Sequence, residues 1–72
     1  MISRVEIFKT NIEDPELARE LILKLGSRFP GMRINFDLHD CDNILRVEGR
    51  SICVEEIIEM MSSSGYQCHL LK

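Results

Sequence analysis

Apolar and polar residues alternate with period two along Arg4-Val5-Glu6-Ile7-Phe8-Lys9-Thr10, the pattern of a half-buried strand. Its alternation predicts Val5 and Ile7 toward the core and Glu6 and Phe8 on the other side. Asn11 to Asp14 break the pattern, and Asp14-Pro15 then starts a helix. The Asp carboxylate can accept from free backbone N–H groups, and Pro suits the first helical position. Ala18, Leu21, Ile22, Leu25 and Phe29 follow at helical spacing and form one apolar face. Arg19, Glu20 and Lys24 fall off that face, and Leu23 points nearly opposite to it.

Pro30-Gly31 ends the helix and turns the chain. Met32, Ile34, Phe36 and Leu38 alternate with Arg33, Asn35 and Asp37 in a second strand. The polar run His39-Asp40-Cys41-Asp42 has hairpin length, and Leu45 and Val47 mark a third strand ending at Gly49. A second helix begins near Ser51 or Cys53, with Val54, Ile57, Ile58 and Met61 inward and Glu55, Glu56 and Glu59 outward. Acidic residues in its first turn suit the helix dipole. Ser62-Ser63-Ser64-Gly65 ends it, and Tyr66 to Leu71 reads as a last strand, with Cys68 and Leu70 inward.

The order strand, helix, strand, strand, helix, strand predicts an α+β two-layer sandwich, because each helix can bury its stripe only on one face of the sheet. Right-handed crossovers and a central hairpin select the ferredoxin-like βαββαβ arrangement, an antiparallel sheet of order 4-1-3-2. The expected organisation is one domain over residues 1–72. A chain of 72 residues supports a single core, with net stability of about 3–5 kcal/mol.

Composition narrows the function classes. The net charge of −3 argues against a general nucleic-acid binder, which carries a basic stripe. No apolar run approaches the roughly 20 residues of a membrane span, so no membrane partner is expected. Met1-Ile2-Ser3-Arg4-Val5 has no apolar signal-peptide core, which makes the cytoplasm the expected location. Cys41, Cys53 and Cys68 are odd in number and widely spaced, so reduced thiols are expected rather than a disulfide framework.

Several segments together resemble the heavy-metal-associated domain family, the small modules of copper chaperones and metal-transporting ATPases. They are Phe29-Pro30-Gly31-Met32, Phe36-Asp37-Leu38, Leu45-Arg46-Val47-Glu48-Gly49, Val54-Glu55-Glu56-Ile57-Ile58 and Ser64-Gly65-Tyr66. The resemblance spans essentially the whole chain and rests on structural residues, so it implies the fold more than an activity. The family's metal loop lies between the first strand and first helix, where a Cys-x-x-Cys pair supplies soft thiolates for Cu(I) or Zn(II). Here the loop reads Thr10-Asn11-Ile12-Glu13-Asp14-Pro15-Glu16-Leu17, with Asp14 and Leu17 nearest the two thiolate positions. No Cys occurs before Cys41. The resemblance therefore implies a degenerate metal site, and no cofactor is expected.

Three places remain where chemistry is conceivable. His39, Asp40, Cys41 and Asp42 share the hairpin, at the same end of the sheet as Glu13 and Asp14. Imidazole, thiolate and carboxylates suit a borderline divalent metal, although Asp is also a common turn residue for backbone reasons alone. Cys53 near a helix N-terminus is a candidate reactive thiol, or a small residue at the helix entry. The third place is the open face of the sheet. It is expected to carry Glu6 and Phe8, then Arg33, Asn35 and Asp37, then Ile44, Arg46 and Glu48, and finally Gln67, His69 and Leu71. Of these, Phe8, Ile44, Arg46, His69 and Leu71 are the candidate partner contacts, offering apolar surface rimmed by charge.

An RNA-recognition-motif reading shares the element order but needs base-stacking aromatics in the first and third strands. Only Phe8 would serve, and the third strand has none. No glycine-rich phosphate loop or nucleophile–His–acid set points to catalysis, so the chain is not expected to be an enzyme. The leading expectation is a non-catalytic binding module for protein–protein interaction or self-association. The alternative is a metal-binding or metal-trafficking protein that uses Cys41 and His39 for Cu(I) or Zn(II). A regulatory domain for an amino acid or other metabolite rests on fold analogy alone.

Overall fold

The computed structural model describes residues 3–39 and 41–71. Its elements are β1 (Arg4–Thr10), α1 (Pro15–Arg28), β2 (Arg33–Asp37), β3 (Ile44–Gly49), α2 (Val54–Ser63) and β4 (Cys68–Leu71). All pairings are antiparallel and the sheet order is β2-β3-β1-β4, the arrangement expected from the alternation of elements.

The local signals act as the sequence predicts. Asp14 caps α1, its Oδ1 accepting from the backbone N–H of Glu16 at 2.9 Å, with Pro15 opening the helix. Ala18, Leu21, Leu25 and Phe29 are buried, and Leu23 is 71% exposed. Cys53 occupies the N-cap of α2 without a side-chain capping bond, and Ile57 and Met61 fill that helix's buried face. Gly31 takes a φ of +88°, which lets the chain reverse after Pro30 at no steric cost. A Cβ at Gly49 would stand 3.1 Å from Met32 Cγ, so a larger residue at the end of β3 requires the Met32 side chain to give way by a few tenths of an ångström.

The last strand is shorter than the sequence pattern suggests. Tyr66 donates its N–H to Met61 O at 3.0 Å and so belongs to the helix end. Gln67 donates to Asn11 Oδ1 at 3.0 Å, and pairing with β1 begins only at Cys68.

The phase of β1 is the reverse of that predicted. Phe8 is 0% exposed, opposite Leu45 and Leu70 in the register and among the largest fully buried side chains. Glu6 is half-buried on the same side, and Thr10 is buried beyond it. Val5 and Ile7 point to the uncovered face instead. The strand carries apolar residues at both parities, so the remaining members decide. Turning Val5 and Ile7 inward would take Lys9 with them, and an unpaired ammonium is costly to bury. Turning Phe8 inward takes Glu6, which stays only half-buried near the start of the strand, and Thr10, whose hydroxyl is readily satisfied. Its Oγ1 donates to Asn43 O at 2.6 Å and accepts from Ile12 N at 3.2 Å. Ile12, also 0% exposed, carries the same side into the core past the strand's end.

Candidate interaction face

Both helices lie on one side of the sheet, and among the described residues no element covers the other side. The register fixes which residues share that uncovered side. Val5, Ile7 and Lys9 of β1 stand opposite Glu48, Arg46 and Ile44 of β3, which in turn stand opposite Arg33, Asn35 and Asp37 of β2. On the other flank, Ile7 faces Leu71 and Lys9 faces His69.

This layout produces an apolar strip with a charged surround. Val5 and Ile7 are consecutive outward positions of one strand, and Leu71 lies directly across from Ile7, so the three adjoin. Val5 is 41% and Leu71 38% exposed, while Ile7 and Ile44 are half-buried. Arg33, Arg46 and Lys9 supply positive charge, and Asp37 and Glu48 negative. Lys9 Nζ lies 3.6 Å from Asp42 Oδ1, which ties β1 to the β2–β3 connection.

Of the candidate contacts read from the sequence, Ile44, Arg46, His69 and Leu71 are on this face. Phe8 is not, and its complete burial removes it from any partner-binding role in the folded chain. Glu6 leaves the face with it. Gln67, exposed, precedes the strand rather than joining it. Val5 and Ile7 take their places, and charge parity alone does not find them, because Lys9 lies on their side of β1 and Glu6 on the other.

The hairpin does lie beside the β1–α1 loop. Thr10 N donates to Asp42 O at 3.2 Å, and a hollow of about 450 Å³ is lined by Glu13 and Pro15 from the loop and by Phe36, Asp37, Leu38 and His39. His39 and Cys41 are exposed, and Asp40 falls outside the described residues. Among the described residues, no three His, Cys, Asp or Glu side chains are grouped to hold a metal ion. The two positions nearest the resemblance's thiolates have other employment, Asp14 as a helix cap and Leu17 packed against the core.

Cys53 is exposed. Cys68 is buried, and desolvation pushes its thiol up to about 11 from 9.0. Among the described residues no helix is long and apolar enough to cross a membrane. Comparison of the chain with protein families, with curated proteins and with solved structures finds no match.

Proposed function

We propose that this chain is a non-catalytic binding module that docks another protein, or a second copy of itself, on the uncovered face of its sheet. On this reading it is a heavy-metal-associated-like domain whose metal loop has degenerated while the fold is kept for interaction. The observation that carries the proposal is the adjoining strip of Val5, Ile7 and Leu71 on a sheet face that no layer covers among the described residues. Full burial of one aliphatic side chain is worth about 1.5–3 kcal/mol. A partner that covers this strip therefore gains a central anchor, while the surrounding charges of both signs set its orientation.

The test is affinity capture from the native cell extract using three forms: wild type, Ile7→Lys and Leu23→Lys. Leu23 is the exposed aliphatic of the helical layer and serves as the control. Sedimentation of each purified form at rising concentration reads the second-copy case. A protein retained by wild type and Leu23→Lys but lost with Ile7→Lys supports the reading, as does self-association with the same dependence. Binding that survives Ile7→Lys contradicts it.

A further inference from the structure

The apolar strip runs into a charged hollow at one end of the sheet. Ser3, two residues ahead of Val5, lines it together with Gly31, Arg33, Glu48, Gly49 and Arg50, around a volume of about 280 Å³. A second hollow of about 420 Å³, bordered by Met32 and Ser51, adjoins it through the shared Gly31 and Arg50. Arg33 and Glu48 are opposite each other in the β2–β3 register, and Val5 is Glu48's partner on β1. Among the described residues, no ion pair holds Arg33, Arg50 or Glu48.

Two guanidinium groups and one carboxylate at one mouth leave a single positive charge uncompensated. A guanidinium presents a planar fork of donors that matches a carboxylate in two parallel hydrogen bonds. A phosphate, with close to two negative charges, would be opposed by Glu48, whereas a single carboxylate balances the site. Ser3 adds a hydroxyl donor at the rim. The helical layer is net acidic and disfavours an acidic visitor, because exposed Glu16, Glu20, Glu55, Glu56 and Glu59 outweigh Arg19, Lys24 and Arg28 there. An acidic partner is thereby steered to the sheet side.

The geometry points to a carboxylate-anchoring site at the end of the docking face. Resting on the reading of that face as an interaction surface, the inference specifies the partner. It is a protein segment that places an Asp or Glu carboxylate between Arg33 and Arg50 and lays neighbouring aliphatic side chains on Val5, Ile7 and Leu71.

The experiment is an NMR titration of the ¹⁵N-labelled protein with two blocked tripeptides, acetyl-Leu-Asp-Leu-amide and acetyl-Leu-Asn-Leu-amide, up to about 10 mM for a weak complex. The expected result is that the acidic peptide shifts the amides of Ser3, Gly49 and Ile7 and binds about fivefold tighter than the amide peptide, the factor for a partly exposed charge pair. Arg50→Gln removes that difference, and Ile7→Lys weakens both peptides. Equal affinities mapped to the open face overturn the carboxylate site and leave the docking face standing. Shifts confined to the helical layer, or none with either peptide, overturn both.

Discussion

Phe8 and Ile7 are adjacent in the chain and opposite in role, which makes them the most informative pair of single substitutions. Phe8 is completely buried between the sheet and the helices. Phe8→Ser is expected to cost at least the about 3–5 kcal/mol seen for large-to-small core changes, which is comparable with the whole stability of a domain this size. Denaturant titration is expected to find no cooperative folded state for Phe8→Ser. Ile7→Lys, on the half-exposed strip, is expected to stay folded with a change of about 1 kcal/mol or less. A stable, cooperative Phe8→Ser would contradict the strand phase seen here. Thr10 offers a finer check, because its hydroxyl is shared between Asn43 O and Ile12 N. Thr10→Val keeps the shape but strands those groups, and a loss of about 1–3 kcal/mol is expected in the same assay.

Among the elements, β4 carries the pH-sensitive group. Cys68 sits on its inward side with its thiol pushed up to about 11 by burial, against 9.0 when exposed. The folded form therefore binds that proton more tightly than the unfolded form does. Its contribution is fully present below pH 9 and is lost as pH rises through about 11. Thiol labelling at pH 8 is expected to modify exposed Cys41 and Cys53 quickly and Cys68 only after unfolding. Rapid labelling of Cys68 in the native protein would show that β4 does not hold to β1 as described. The elements themselves were legible because their signals are local: the Asp14-Pro15 helix start, the 3.6-residue stripe of α1, and the alternation from Arg33 to Asp37. The phase of β1 was not legible from alternation alone. Its two faces carry comparable apolar content and charge on both, in Lys9 and in Glu6, so the choice depends on the partners supplied by Leu45 and Leu70, which are distant in sequence. The candidate face suffered in proportion. Ile44, Arg46, His69 and Leu71 follow from parity within their own strands, whereas Val5 and Ile7 required the pairing. The hollow at Arg33 and Arg50 required it too, since it joins Ser3 to residues in the middle of the chain.

In the folded chain, a net acidic helical layer backs a sheet whose other side is uncovered among the described residues. Four strands spaced about 4.8 Å apart and about 20 Å long present about 400 Å² of face. That is below the roughly 800 Å² per partner of a standard stable interface. Association through it is therefore expected to be reversible, with a dissociation constant in the micromolar range or weaker. The proposed loss of a metal loop makes a separate prediction. Native mass spectrometry of the reduced protein with Cu(I) or Zn(II) under a competing chelator is expected to show no retained metal. A one-to-one adduct abolished by Cys41→Ser would instead assign metal chemistry to the hairpin. A partner on the proposed face meets the sheet side of the molecule and not the helical side. The most direct measurement is in-cell photo-crosslinking from a photoreactive phenylalanine analogue placed at position 7 and, separately, at position 23. A discrete protein adduct, to another chain or a second copy, is expected from position 7 and none from position 23. An adduct from position 23 alone would contradict it.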